Sequence, residues 1–322
     1  MKADSRGTKA KGAFTLVEIL TVMSIIVILI TLLVPSLTMV RRYASEVKQR
    51  AQFHSIDVAL EQFSSEQQGY PPSGRLDEDG SNKQAYCGAM KLCEAMMGQD
   101  LLGFNPNSRF RSDGTDGATT NPTQFYPPDP LVDTSPVDAD GYRKNLQTRR
   151  GPYLQLENAN AYRLKNLYRA GISPFVTTSK NYVLCDVYNR VTLAPDANAT
   201  GAKSKCGMPI LYYKADTSKN GHNTDKLPPD VLASDDIYDY RDNDDLVVLP
   251  LPWNTTAIHH PMASSGTTPG GGTADATIFY KKTKNPKITT TARPYRADSY
   301  ILLSAGFDGQ YGTDDDIFNF ER

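Results

Sequence analysis

"FTLVEILTVMSIIVILITLLVPSLTMV", Phe14 to Val40, is the stretch that decides what kind of chain this is. From Ile19 to Val40 it holds no charged residue, 22 positions against the roughly 20 that cross a bilayer as a helix. One carboxylate, Glu18, stands just ahead of that run, and a carboxylate in hydrocarbon is costly enough to need a partner. The segment before it, MKADSRGTKAKGA, carries Lys2, Arg6, Lys9 and Lys11 against Asp4. By the positive-inside rule that segment stays in the cytoplasm and everything after Val40 lies outside. A secretory signal would have a shorter apolar run followed by a small-residue cleavage site. Here VPSLTMVRRYASEVKQ continues instead in helical rhythm.

The remainder reads as a soluble body on this one membrane segment. At 322 residues the chain is long enough for one large or two small domains, and its mean hydropathy is negative, with the hydrophobicity concentrated in the one N-terminal block. Its 35 basic and 36 acidic residues nearly cancel, so no overall field draws it to nucleic acid, and no nucleic-acid partner is expected. Cys87, Cys93, Cys185 and Cys206 all fall in the exported part, where oxidation is permitted. Proximity in sequence favours pairing Cys87 with Cys93 and Cys185 with Cys206, against the alternative of four buried thiols. The histidines have no ligand-like spacing to these cysteines, and no nucleophile elbow, HExxH or phosphate-loop motif occurs, so no catalysis is predicted.

Past the span, Val40, Ala44, Val47, Ala51, Ile56, Ala59, Leu60 and Phe63 keep helical spacing with charges on other faces, so the helix continues in amphipathic form over 41–69. Gly69 is the expected C-cap and Pro71-Pro72 the stop. Pro35, inside the span, is expected to kink or locally melt the helix. The extracytoplasmic head, 70–322, is predicted to be α+β. KQAYCGAMKLCEAMMG suggests a second helix, and NYVLCDVY, PILYYKA, ATIFYKK and SYILLSAG suggest strands of an antiparallel sheet laid on the long helix. The acidic run SDDIYDYRDNDDL, Ser234 to Leu246, reads as an exposed loop with internal ion pairs.

GAFTLVEIL resembles the processing site of type IV pilins and type II secretion pseudopilins: a basic leader, a small residue, then Phe-Thr-Leu-x-Glu opening the membrane helix. The resemblance implies the pilin fold and a chain held in the inner, cytoplasmic membrane with its head in the periplasm or beyond. A prepilin peptidase would remove the leader 1–13 between Ala13 and Phe14 and methylate the new amine. Ala13 stands where the family usually has glycine, but only this cut leaves Glu18 fifth in the mature chain. The 14–40 segment then serves as transmembrane and assembly helix, and a neighbour's Phe14 amine becomes the partner of Glu18, offsetting the desolvation of both charges. Pro35 matches a position where the family often has proline. The implied role is a structural subunit of a type II secretion pseudopilus, a homopolymeric filament, with other pilin-like subunits and an inner-membrane assembly platform as partners. The alternative is a pilus or tip subunit with a binding head.

The chain ends SAGFDGQYGTDDDIFNFER, with four aspartates around Gly306, Gly309 and Gly312. Alone, this suits either a hard-cation loop or a solvated tail. It also resembles the C-terminal calcium loop of major pseudopilins. That likeness implies Ca2+ held by side chains of Asp308, Asp314 and Asp316 and by oxygens of Leu303 and Ser304, with Asp315 facing solvent.

Overall fold

The computed structural model describes residues 15–77, 85–128, 137–168, 181–193, 204–222, 235–253, 260–263 and 275–320. Ala13, Phe14 and the leader lie outside them, as does the Gly-rich stretch 264–273. The chain divides into two compact units, Met1–Ser45 and Glu46–Arg322.

In the first unit, helix α1 (Leu16–Gln67) begins at Leu16, and its apolar side chains up to Val40 are exposed. An 18-residue window of it is apolar enough to cross a membrane, and among the described residues none of that window is buried. Pro35 removes one backbone donor but does not interrupt the helix. Of the two expected responses, a kink or local melting, the structure shows no melted turn at Pro35. Hydroxyls on the flanking turns fold back onto the backbone, Thr31 Oγ1 to Val27 O at 2.7 Å, Ser36 Oγ to Leu33 O at 2.8 Å and Thr38 Oγ1 to Pro35 O at 2.7 Å.

In the second unit, α1 turns one stripe inward: Gln49, Gln52, Phe53, Ile56, Ala59, Leu60 and Phe63 are buried at helical spacing. The helix ends at Gln67 as the sequence predicts, but the left-handed residue that stops it is Gln68, with φ 61°, rather than Gly69. The head is α+β. Helix α2 (Gly88–Met97) lies in the predicted segment and is buried on all sides. It starts so close to strand β5 (Leu211–Lys214) that a Cβ at Gly88 would sit 2.2 Å from the Tyr212 carbonyl. Helix α3 (Ala139–Thr148) is capped by Asp138, whose carboxylate accepts from Gly141 N at 2.7 Å.

Among the described residues the strands make three small antiparallel sheets: β1 (Ala161–Arg163) with β2 (Tyr182–Leu184), β3 (Val191–Thr192) with β4 (Lys205–Cys206), and β5 with β6 (Tyr300–Ser304) and β7 (Ile317–Phe318). In the last, β6 is central, with Leu303 opposite Leu211 on one side and Phe318 on the other. All five residues of β6 are buried, because both faces are covered. Tyr300 and Leu302 meet Tyr212, Ile317 and the α1 stripe, while Ile301 and Leu303 join Leu211, Tyr213, Phe318 and Tyr238 on the other face. Polar ties hold the sheet side to the helix: Gln52 Nε2 donates to Cys185 O at 2.9 Å, Val187 N to Gln49 Oε1 at 3.0 Å, and Tyr300 OH to Asp57 Oδ1 at 2.8 Å.

Two sequence readings fail here. ATIFYKK is not a strand but part of the helix Ala276–Thr283, because Asp275 caps it, accepting from Thr277 N at 2.8 Å and Ile278 N at 3.4 Å. The acidic segment is not an exposed loop. Tyr238, Tyr240, Asp242, Asn243 and Asp244 are buried, and Asn243 bridges Ala89 N and the Tyr212 carbonyl at 2.8 and 2.7 Å. Its expected internal ion pair is present, Arg241 to Asp239 at 2.7 Å.

Leu60 is fully buried in the stripe, so Leu60→Ala is expected to lower the stability of the full chain in detergent by about 2–5 kcal/mol. The exposed neighbour Val58→Ala is expected to move it by no more than about 0.5 kcal/mol. Urea unfolding followed by tryptophan fluorescence checks both, and equal losses would show that the stripe is not a core.

Candidate functional site

The opening of α1 is the first candidate. Thr15 and Glu18 form a reciprocal capping box: Thr15 N and Thr15 Oγ1 each donate to Glu18 Oε2 at 2.8 Å, and Glu18 N donates back to Thr15 Oγ1 at 3.3 Å. The carboxylate therefore already has partners within its own turn. The Thr-x-x-Glu spacing carried that signal, which a reading intent on an intermolecular partner passes over. Ala13 and Phe14, the expected processing residues, lie outside the described residues.

The C-terminal loop is the second candidate, and most of the residues named for calcium are engaged in other bonds there. Leu303 and Ser304 are committed to strand β6. Ser304 Oγ donates to the buried Asp186 Oδ2 at 2.9 Å. Asp316 accepts from Gly312 N at 3.0 Å and is ion-paired with Lys282 Nζ at 3.2 Å. Asp314 is exposed. Asp308 faces Asp315 instead: Asp308 N donates to Asp315 Oδ2 at 2.9 Å, and Gln310 N to Asp308 Oδ1 at 2.8 Å. Burial first, then the neighbouring Asp315 charge, raises the Asp308 carboxyl above its usual range. Asp315, expected to face solvent, instead ties the loop, with Thr313 Oγ1 donating to Oδ1 at 2.8 Å. Among the described residues no group of three or more His, Cys, Asp or Glu side chains is placed to hold a metal ion. As the loop stands, its residues do not fit the calcium set.

The backbone of the loop is nonetheless sharply specified. Gly306, Gly309 and Gly312 have φ of 66°, 73° and 99°, and a Cβ at Gly306 would lie 2.0 Å from the Asp315 carbonyl.

All four cysteines are buried free thiols. The expected Cys87–Cys93 pair is set apart by helix geometry. Cys87 precedes α2 and joins the cluster around Tyr213, whereas Cys93, six residues on, joins the cluster on the α1 side. Cys185 and Cys206 are hydrogen-bonded neighbours, and burial followed by that bond drives the Cys185 thiol well above its ordinary value.

Several buried acids escaped the sequence reading. Glu94, on α2, accepts from Tyr86 OH at 2.6 Å and Gln99 Nε2 at 3.1 Å and also from Ser108, and burial raises its carboxyl. Burial also pushes Asp186 and Asp242 up to about 7. Asp242 accepts a hydrogen bond from Ser73 and feels the Asp239 charge nearby. These groups occur in loops and helices with no common motif. Only the fold shows them to be buried.

Neither a protein-family model, nor a curated protein, nor a solved structure matches this chain.

Asp242 sets a pH dependence. A carboxyl of the unfolded chain ionises near 4, and this one near 7 in the fold, so between those values the folded state holds the extra proton. Its stabilisation is complete below about pH 4 and disappears as pH rises through about 7. His222, pushed down to about 4 by burial, acts in the opposite sense below its ordinary value and cancels in a comparison with a variant. The difference in Tm between Asp242→Asn and the parent chain is therefore expected to grow in the variant's favour from pH 5 to pH 8, by scanning fluorimetry in one buffer series. A constant difference would mean that Asp242 does not titrate in this window.

Proposed function

We propose that the chain is a pilin-like structural subunit that is processed at its N-terminus and polymerises through α1, as part of a type II secretion pseudopilus. The observation that carries this reading is Glu18 at the head of a helix whose apolar side chains up to Val40 are exposed among the described residues. An apolar surface of that extent needs lipid or other helices around it. In a plain anchor the carboxylate would serve only to cap the helix with Thr15, whereas in a helix bundle with a free amine at the head of each member it would also pair with that charge. Among the described residues both side-chain bonds of Glu18 go to Oε2, so Oε1 is the oxygen to receive a neighbour's Phe14 amine. Partner subunits, a prepilin peptidase and a membrane assembly platform follow from the same motif. The runner-up is a tip subunit, favoured by a head that runs from 70 to 322. Labelling confined to filament ends would select it.

The deciding experiment co-expresses the chain with a prepilin peptidase and reads the mature N-terminus by mass spectrometry beside a filament assay. The expected product starts at methylated Phe14. Glu18→Gln is expected to insert into the membrane and to be cleaved, yet to yield no filaments. An intact leader beside a processed control, or normal filaments from the variant, sinks the proposal.

Export would expose the thiols to oxidation, and we expect the hydrogen-bonded neighbours Cys185 and Cys206 to be the pair that joins. Non-reducing peptide mapping after exposure to oxidised glutathione is expected to recover a Cys185–Cys206 link. A Cys87–Cys93 link would contradict the separation of that pair.

A further inference from the structure

The C-terminal loop receives a cation from a neighbouring helix. Lys282 stands in the last turn of the helix Ala276–Thr283, whose start is fixed by the Asp275 cap and whose Phe279 and Tyr280 are buried in the core. That anchoring points Lys282 inward. Its side chain is 10% exposed, and the Asp316 side chain it meets is 0% exposed. The ammonium lies 3.2 Å from Asp316 Oδ2 and donates to the Thr313 carbonyl, and Gly312 N supplies the remaining donor to Asp316 at 3.0 Å. A carboxylate and a backbone carbonyl turned to one point are the oxygens a hard divalent ion takes. Here an ammonium with three donors takes them.

We propose that Lys282 is the resident cation of this loop, so that the segment 305–316 closes without a divalent ion. The inference rests on the loop's geometry and stands or falls separately from the filament reading. A second positive charge beside Asp316 would meet the buried ammonium at close range. Loss of the ammonium would in turn strand a desolvated carboxylate, the costly way to break a buried pair.

The chain carries a built-in reporter. Trp253 is its one tryptophan, and a Cβ at Gly309 would lie 2.6 Å from the Trp253 ring, so the indole packs on the loop. Full-length protein in detergent is melted while Trp253 emission is followed, with millimolar calcium or with EGTA. The parent chain is expected to melt within about 1 °C in the two buffers, since a ligand that binds no better to the folded state shifts nothing. Lys282→Met keeps the stem and loses the charge, and is expected to melt about 10 °C lower with altered Trp253 emission. Lys282→Arg, which keeps the charge, is expected to stay near the parent. A parent Tm that drops in EGTA and returns with calcium overturns the proposal, as does a Lys282→Met chain that melts like the parent. Should Lys282→Met not accumulate, the parent in EGTA and the Lys282→Arg chain decide it.

Discussion

Strand β6 has to be covered on both faces, and the head is arranged around that need. Tyr300 and Leu302 point to one side, Ile301 and Leu303 to the other, and none of them reaches water. One cover is the stripe Phe53, Ile56, Leu60 and Phe63 of α1, and the other is the cluster built from Leu211, Tyr213, Tyr238 and Phe279. Burying a strand on both faces with few long partners leaves its ends to be tied by side chains. Asp57 does this from the helix at Tyr300, the first residue of β6, while Gln49 and Gln52 hold Val187 and Cys185 just past β2. A helix that must furnish both an apolar wall and three buried or half-buried hydrogen-bonding groups cannot slide by a residue without losing all of them.

How much of this was legible depended on how local the signal was. The long helix and its stop were legible because periodicity and the Pro71-Pro72 punctuation act over neighbouring residues. So was β6, because a short run of Tyr, Ile and Leu is what a doubly covered strand contains. The segment Ala276–Thr283 was misread for an identifiable reason: Thr277, Ile278, Phe279 and Tyr280 favour strands by propensity, and a single capping side chain at Asp275 outweighs them. The segment Ser234–Leu246 looked solvated because its charge is local information while its burial is not. Tyr238, Tyr240 and Asn243 find their partners more than thirty positions away in chain, at Arg296, Tyr280 and Tyr212.

The candidate sites show the same division. Proximity in sequence proposed two cysteine pairs, and geometry separates one of them. A six-residue offset sends Cys87, ahead of α2, and Cys93, within it, into different clusters, whereas Cys185, just past β2, is a hydrogen-bonded neighbour of Cys206 in β4. The aspartates of the final loop were visible as a group, but their assignments were not. Lys282 lies 34 positions before Asp316, and nothing in the spacing of the aspartates announces it.

The two charges near the ends of the chain are handled in contrasting ways, and the contrast bears on assembly. Asp316 is satisfied by a distant lysine, so its pairing is bound up with the fold of the whole head. Glu18 is satisfied by Thr15 within one turn, so its hydrogen bonds persist in any setting in which the helix start persists. A neighbouring amine in the proposed filament would therefore add little as a donor that Thr15 does not already supply. What it would add is neutralisation of a charge in a medium of low dielectric, where attraction is strong at a few ångströms and falls with distance less steeply than a hydrogen bond. Register between subunits would then be chosen by charge pairing, with the capping box holding the carboxylate in one place while the partner arrives.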